Sequence, residues 1–594
     1  MSQKKIKKER RLKDMVIDKV VAKEVLGIRE IFSKYWKYLV FLVLITLALY
    51  ANSLGGDFVS DDYATISTNP EILNISKAFA GFSFVNISNY FLALIFGVSS
   101  PVPFHIYSLS WYLLSLVSVF VFVYLLWGER VAKYTSLFFA FMPIHVEAVS
   151  WISGKPYVMF AVFFLWTFNF FLQWRKSGEN KYLWWFWVFF ALTVKMDVVR
   201  SPGLVLALGV YMVIFDREIL KRMKVGYVLG VLAGLGVSFA LIWPTIKTRI
   251  MAINGGATGK ELWSSPLEQY PTVIAKYLEL TIFPKTLTLY HTMFVNPMWL
   301  NWVILLVFIS LIIIYLKIDK RVAFSLLFIF LVSVGSMAPI KVGWWVAERY
   351  LFLGSLGVAM FVGLLMDKIA LGWKYLPVVV LLPLLSWYGY LVLVRNHDWS
   401  TNHNLWVQTV KASPNSHNAW NNIGDDYDKL GEYEKAIESF TKSTEMKEDY
   451  ADAYHNRANI YYKIGDYENA ARSYSLAIEK NPLLKQSYMS LIQTYLTDNK
   501  TLEAVKTAEA LLNVDPADPM SWYAGAVTLV NAGDAQGALA ALDNCLKLAP
   551  NMAQAVELKK TIMSNPLYID KVSRNSGVES EVLEVESEVV GEER

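Results

Sequence analysis

The stretch ADAYHNRANIYYKIGDYENAARSYSLAIEKNP, residues 451–482, sets the frame of the C-terminal third of the chain. It places an aromatic residue at Tyr454, a glycine at Gly465, an alanine at Ala470 and a proline at Pro482. A shift of 34 residues in either direction finds similar residues again. The matching positions are Trp420, Tyr488 and Trp522, then Gly431, Asn499 and Gly533, then Ala436, Ala504 and Ala538, and finally Pro414, Pro516 and Pro550, with Glu448 in the remaining slot.

This period predicts an α-solenoid of tetratricopeptide repeats. The glycine lets the two helices of a repeat turn, the alanine lets them pack closely, and the proline starts the next repeat where no N–H is needed. About four repeats cover 414–549, and 551–563 is typical of a capping helix, within a predicted domain of 401–564. Such arrays have a concave face, so we expect an acceptor protein or peptide as partner. A spacer without a ligand is the alternative.

The rest of the chain has the composition of a membrane protein. Of 594 residues, 55% are hydrophobic and only 18% are charged, against about a quarter in soluble domains. The long apolar runs nearly all precede Arg395, which predicts an all-α, polytopic membrane helical bundle. The net charge of +5 is small, and no dense basic patch indicates a nucleic-acid partner. The single cysteine, Cys545, excludes an internal disulfide framework and a cysteine-based metal cluster.

Eleven segments are apolar enough to be candidate spans, since a crossing helix needs about 20 mostly apolar residues. They lie near 37–55, 103–126, 132–150, 156–174, 181–196, 202–215, 225–245, 297–316, 321–340, 349–367 and 374–394. The predicted domains are a basic cytoplasmic arm at 1–36, a transmembrane domain at 37–400, the repeats, and an acidic, disordered tail at 565–594.

Lysine and arginine in short loops predict the cytoplasmic side. With the basic arm inside, every second short loop is also basic, which supports the count. The segment Pro266 to Phe283 carries Glu268, Lys276 and Glu279, so we expect an interfacial or re-entrant helix there and no span. An odd number of spans places the repeats on the extracytoplasmic side. The absence of clear organelle signals favours a bacterial cell membrane over the endoplasmic reticulum.

Three acids follow the first span within six residues, namely Asp57, Asp61 and Asp62. Adjacent carboxylates repel each other unless one is protonated or a cation lies near. A helix cap would explain a lone pair of aspartates. Three acids beside the membrane surface favour a role as general base or as metal ligands, so a divalent cation is a possible cofactor.

Further polar residues fall on the same predicted extracytoplasmic face. Their positive charges oppose the usual excess of lysine and arginine on the cytoplasmic side. Arginine suits bidentate phosphate binding, so an anionic ligand is the simplest explanation, although neighbouring acids and bases could neutralise each other. These residues are His145, Glu147, Lys195, Asp197, Arg200, Glu348 and Arg349.

Three stretches in this order resemble membrane glycosyltransferases of the GT-C superfamily. The nearest likeness is to the transmembrane and tetratricopeptide-repeat protein O-mannosyltransferases and their bacterial relatives. The matching stretches are 58–62 (FVSDD), 143–154 (PIHVEAVSWISG) and 347–353 (AERYLFL), followed by the repeats. The sequence departs from the relatives at Met142, where they often have histidine, and at Met196, where they often have glutamate.

The resemblance implies an enzyme with a GT-C-type bundle, a polyprenyl-phosphate sugar donor and a protein hydroxyl acceptor. It implies that Asp61 or Asp62 is the catalytic or acceptor-positioning acid. Charge and predicted side add Lys195, Arg200 and Arg349 as candidates for the lipid phosphate. A catalytically inactive membrane scaffold fits the two methionines, and an O-antigen ligase or polymerase-like enzyme also combines spans with repeats. Both alternatives stay open.

Overall fold

The computed structural model describes residues 26–222, 265–333 and 345–564, together with the isolated positions 236, 240, 243 and 247. The chain divides into two compact units, Met1–Pro414 and Asn415–Arg594. The described residues form helices and short helical turns and contain no strand, which confirms the all-α class. The division lies after Pro414, whereas the sequence predicted it at 400.

The first unit consists of sixteen described helices. They are α1 Ile28–Tyr50, α2 Ile75–Phe79, α3 Phe84–Phe96, α4 Val102–Trp127, α5 Glu129–Ala140, α6 Val146–Ser150, α7 Lys155–Ser177, α8 Asn180–Met196, α9 Pro202–Phe215, α10 Arg217–Arg222, α11 Pro266–Ile282, α12 Met298–Ile318, α13 Lys320–Ser333, α14 Ser355–Gly372, α15 Leu376–Asp398 and α16 Asn402–Ala412.

Six described segments are long and apolar enough to cross a membrane, which is the pattern of a multi-pass protein. They are Ile28–Ser53, Val102–Trp127, Ile152–Ser177, Met298–Ile318, Ser355–Gly372 and Leu376–Asp398. The predicted span at 225–245 lies outside the described residues, as does the end of 321–340. Three further apolar helices are shorter than these six segments, namely α3, α9 and the 17-residue α8.

The predicted span at 132–150 is wrong as a continuous helix. Helix α5 ends at Ala140, and Met142 adopts an extended backbone with ψ of 118°. The cause is Pro143, because a proline disfavours the helical conformation of the residue before it and has no N–H to donate. A turn at Pro143–His145, the short helix α6 and a second turn at Ile152–Gly154 follow. This break places the polar residues His145, Glu147 and Ser153 in the short segment ahead of α7.

Close helix packing in the first unit depends on two glycines of α14. A Cβ on Gly357 would lie 2.5 Å from the backbone oxygen of Ser325 in α13, and one on Gly363 would overlap the hydroxyl oxygen of Thr135 in α5. Small residues let helix backbones approach each other where lipid offers no hydrophobic driving force. Helix α14 therefore joins α5 and α13 at short range.

The second unit confirms the repeat frame. Its helices are α17 His417–Lys429, α18 Tyr433–Met446, α19 Ala451–Lys463, α20 Tyr467–Lys480, α21 Lys485–Thr497, α22 Thr501–Val514, α23 Pro519–Ala532, α24 Ala535–Leu548 and α25 Ala553–Ser564. The predicted turn positions share a left-handed backbone, with φ of 75° at Gly431, 82° at Gly465, 58° at Asn499 and 81° at Gly533. The alanine that recurs every 34 residues is fully buried in all four repeats, at Ala436, Ala470, Ala504 and Ala538.

Candidate functional site

The two adjacent aspartates of the first loop have different environments. Asp61 is exposed, whereas Asp62 is fully buried. The Asp62 carboxylate accepts hydrogen bonds from the Ser153 backbone N–H at 2.8 Å, from the Ser153 hydroxyl at 2.5 Å and from the Val59 N–H at 3.2 Å. Burial outweighs these bonds and raises the pKa of Asp62 to about 6. Asp62 thus anchors the loop, and Asp61 presents a carboxylate to the surroundings.

The backbone just before Asp61 is strained. Ser60 has φ of 53°, a left-handed conformation that costs a non-glycine residue roughly 1–2 kcal/mol. The Ser60 N–H donates to the side-chain oxygen of Asn402 at 3.0 Å, and the Asp57 N–H donates to the Ser400 carbonyl at 2.8 Å. Ser400 and the first residue of α16 therefore hold the backbone of the loop just before Asp61.

A buried lysine lies behind the anchored aspartate. Lys155, at the start of α7, is 1% exposed, and its ammonium donates to the side-chain oxygen of Asn89 in α3 at 2.5 Å. Its charge lowers the pKa of Asp62, against the larger effect of burial. A buried ammonium requires a countercharge, and the Asp62 carboxylate is the nearby group of opposite charge. The Ser153–Lys155 turn therefore ties the acid loop to two helices.

The second feature of the site is a buried ion pair between Glu147 and Arg349. The guanidinium forms a short ion pair with one carboxylate oxygen, and the Arg349 backbone N–H donates to the other at 2.9 Å. The guanidinium carbon also lies 5.3 Å from the centre of the Trp151 ring. Because Trp151 and Ser153 belong to one short turn, this turn contacts both Arg349 and Asp62.

A second arginine joins Arg349 on a shared pair of tyrosines. The guanidinium carbon of Arg200 lies 3.8 Å from the centre of the Tyr157 ring and 5.9 Å from that of Tyr350. The corresponding distances for Arg349 are 5.9 Å and 5.0 Å. Arg200 also pairs with Asp197 at 3.3 Å. Residues far apart in sequence therefore place two guanidinium groups beside one aromatic pair.

The third predicted cation has a different contact. The ammonium of Lys195, which lies in the last turn of α8, donates to the backbone carbonyl of Gly81 at 2.5 Å and is exposed. Gly81 belongs to the turn between α2 and α3. Of the three cations predicted for a phosphate, the structure thus brings Arg200 and Arg349 together and gives Lys195 a separate position.

His145 and Glu348 lie in buried clusters of their own. The His145 ring is hydrogen-bonded to the Tyr112 hydroxyl at 3.0 Å and to the Ser355 hydroxyl at 2.8 Å, which fixes the turn between α5 and α6. Glu348 accepts from the Thr288 N–H at 2.5 Å and from Arg395 at 3.2 Å. Burial raises the pKa of Glu348 to about 7 despite the arginine.

Several residues of the site were not among the sequence candidates. Ser153, Lys155 and Tyr157 belong to the turn before α7 and to its first residues, and Tyr350 follows Arg349. The sequence signal for Lys155 is a lysine at the start of an apolar run of span length. Among the described residues, no group of three or more histidine, cysteine, aspartate or glutamate side chains is arranged to hold a metal ion.

Comparison with known proteins agrees with both units. Models described as TPR repeat and tetratricopeptide repeat match residues 424–465 and 451–482. The chain contains tetratricopeptide repeats and resembles the TMTC3 protein O-mannosyl-transferases. The mouse protein is 23% identical over 486 residues, which are 70% of this chain and 51% of that protein. The human protein is 22% identical over 492 residues, which are 70% of this chain and 52% of that protein.

The resemblance predicted from the three stretches and the repeats is thereby confirmed. The chain spans about half the length of the curated relatives it matches. Among solved structures, the crystal structure of MamA protein aligns with a TM-score of 0.24 and 20% identity, over 26% of this chain and 84% of that chain.

Proposed function

We infer that this protein is a membrane glycosyltransferase of the GT-C type. In this proposal it transfers a sugar, with mannose as first candidate from the names of its relatives, from a polyprenyl phosphate to a protein hydroxyl. The observation that carries the proposal is the link between the aspartate loop, through Asp62, and the two arginines. One short segment, the turn before α7 and the first residues of α7 (151–157), contacts the aspartate loop through Ser153 and the arginines through Trp151 and Tyr157.

Asp61 is the proposed general base. Its carboxylate is exposed and follows a strained residue, whereas the Asp62 carboxylate is buried and occupied by Ser153 and Val59. Asp61 takes the proton of the acceptor hydroxyl as the hydroxyl oxygen attacks the anomeric carbon of the sugar. The bond from that carbon to the phosphate oxygen breaks, and the phosphate leaves with the electron pair. Attack from the opposite face inverts the anomeric configuration.

Arg200 and Arg349 are the proposed partners of the leaving phosphate. Planar guanidinium groups match phosphate oxygens and hold negative charge as it develops. Each guanidinium has one acidic partner, Asp197 for Arg200 and Glu147 for Arg349. Because an arginine side chain carries five N–H groups, each guanidinium keeps further donors for a phosphate. The proposal gives no step to a metal ion.

The repeats are the proposed binding site for the acceptor protein. A tetratricopeptide array offers a concave face for a protein or peptide and has no catalytic chemistry of its own. Transfer on the extracytoplasmic side requires that the repeats lie there too.

In a Cys545→Ala background, a membrane-impermeant thiol reagent on intact cells should label Lys506→Cys in the repeats and leave Lys181→Cys in a predicted cytoplasmic loop unlabelled. Labelling of the lysine 181 variant alone would contradict this topology.

The direct test of the proposal is an assay of purified protein in detergent with polyprenyl-phosphate mannose and extracted envelope proteins. The expected result is transfer of labelled sugar to protein, with release of polyprenyl phosphate. The same assay with polyprenyl-phosphate glucose reports on the identity of the sugar. Absence of transfer from each lipid-linked sugar would contradict the proposal.

A membrane-anchored scaffold without catalysis is the second candidate, and the ion pairs favour it. Because Glu147 and Asp197 already neutralise the two arginines, this cluster has the charge balance of a structural network. The scaffold predicts that the full-length protein retains an envelope partner but consumes no lipid-linked sugar. Measured consumption of donor by wild type would exclude it.

A further inference from the structure

Tyr157 contacts both arginines at short range. Its ring faces the Arg200 guanidinium, whose carbon lies 3.8 Å from the ring centre. Its hydroxyl oxygen accepts a hydrogen bond from Nε of Arg349 at 3.4 Å. The ring lies closest to Arg200 and the hydroxyl bonds Arg349, so substitutions by phenylalanine and by leucine remove these contacts in two steps.

The position of Tyr157 explains how two like charges share one place. Guanidinium groups close to each other repel, and a nearby aromatic face stabilises each of them in addition to its acidic partner, Asp197 or Glu147. The rings of Tyr157 and Tyr350 lie 5.8 Å apart with 33° between their planes, so together they form one aromatic surface. Tyr157 comes from the first turn of α7, whereas Arg200 precedes α9 and Arg349 precedes α14. The tyrosine is therefore the link between segments that are distant in sequence.

We propose that Tyr157 is a positioning residue that holds Arg200 and Arg349 together as one binding site for the phosphate of the lipid donor. The inference rests on the proposed function for the identity of the anion. Tyr157 itself touches neither the sugar nor the acceptor in this scheme, and it acts through the two arginines. Its removal should weaken donor binding and leave acceptor binding unchanged.

Three variants of the full-length protein test this role. Tyr157→Phe keeps the ring beside Arg200 and removes the hydroxyl that binds Arg349. Tyr157→Leu removes both contacts. Tyr134→Phe is the matched control, because it removes a tyrosine hydroxyl from helix α5.

The first readout is the Michaelis constant for the polyprenyl-phosphate sugar. We expect it to rise about 3-fold in Tyr157→Phe and more than about 10-fold in Tyr157→Leu, in line with one lost hydrogen bond and one further lost cation–π contact. The Michaelis constant for the acceptor should stay at the wild-type value. An unchanged Michaelis constant for the donor would overturn the inference. A loss confined to kcat would also overturn it, because a merely structural defect reduces the amount of active protein.

The second readout is the binding of polyprenyl phosphate, which needs no turnover. Its dissociation constant for the detergent-solubilised protein should rise in the same order, from wild type through Tyr157→Phe to Tyr157→Leu. If wild type transfers no sugar and this order still appears, the proposed transfer fails and the role of Tyr157 stands. If wild type transfers sugar and the order is absent, the role of Tyr157 fails and the transfer stands.

Discussion

The Ser153 backbone N–H and hydroxyl both donate to the Asp62 carboxylate, at 2.8 Å and 2.5 Å. This relationship joins the loop after the first span to the turn that begins α7. It also separates the roles of two adjacent acids, because it occupies Asp62 and leaves Asp61 exposed.

Ser153→Ala should loosen the acid loop. The substitution removes one of three donors to a buried carboxylate, and an unmet buried hydrogen-bonding group costs about 1–3 kcal/mol. Hydrogen exchange of residues 57–67 in the full-length protein should become faster. Ser110→Ala is the control, since that hydroxyl is exposed and donates to the backbone carbonyl of Tyr107 in its own helix. Equal exchange rates in both variants would show that Ser153 does not hold the loop.

The stability of the protein should depend on pH through Asp62. Burial raises the pKa of this carboxyl from its ordinary value of 3.8 to about 6, so between these values the folded protein keeps a proton that the unfolded chain releases. The free energy of unfolding that this group contributes therefore falls by up to about 3 kcal/mol as the pH rises from about 4 to about 6. Above pH 6 this contribution stays constant.

Asp62→Asn removes this titration, so its thermal midpoint should fall less than that of wild type across the same window. Comparison of the two proteins cancels the effect of Glu348, whose raised pKa has the same sign. Parallel curves for wild type and variant would show that Asp62 does not titrate in this range.

Breaking the Glu147–Arg349 pair should be strongly destabilising. In Arg349→Met the fully buried Glu147 carboxylate loses its countercharge, which costs about 3–5 kcal/mol. The matched control is Lys181→Met, because the Lys181–Glu179 pair is 60% and 49% exposed, and such exposed pairs contribute little to stability. The thermal midpoint in detergent measures both. A similar small change in the two variants would contradict the assignment of Arg349 to a buried pair.

Two glycines of the repeats should respond in opposite directions to alanine. A Cβ on Gly424 would lie 2.7 Å from the Phe440 ring, whereas one on Gly525 would meet only Leu512 at 3.6 Å. Gly424→Ala should therefore destabilise the first repeat by about 1–3 kcal/mol, and Gly525→Ala should stabilise α23 by up to about 1 kcal/mol. Hydrogen exchange of residues 415–564 in the full-length protein reports both. The same response at the two sites would be evidence against this packing.

The repeats were the most predictable part of the fold, because their frame recurs four times. The break after α5 was harder to see, since 132–150 has the composition of a span, and only Pro143 marks the interruption. Apolar content reports the total length of a segment, whereas a single proline decides whether the helix is continuous.

The candidate site was predictable in part. The acids and the arginines stand out because charge is costly near a membrane. Their arrangement is not readable from the sequence, because the tyrosines that join Arg200 to Arg349 and the serine that occupies Asp62 are ordinary residue types. Which of the two aspartates is exposed also depends on contacts to Ser153 and Asn402, which are distant in the chain.

The central claim is that Asp61 accepts the proton of the acceptor hydroxyl during sugar transfer. The most direct test is the initial rate of transfer from polyprenyl-phosphate mannose by wild type, Asp61→Asn and Glu71→Gln, the last being an exposed acid of the same loop that pairs with Lys77. We predict that Asp61→Asn reduces kcat by about 100-fold or more, with an unchanged thermal midpoint, and that Glu71→Gln retains the wild-type rate. Transfer by Asp61→Asn at the wild-type rate would contradict the claim.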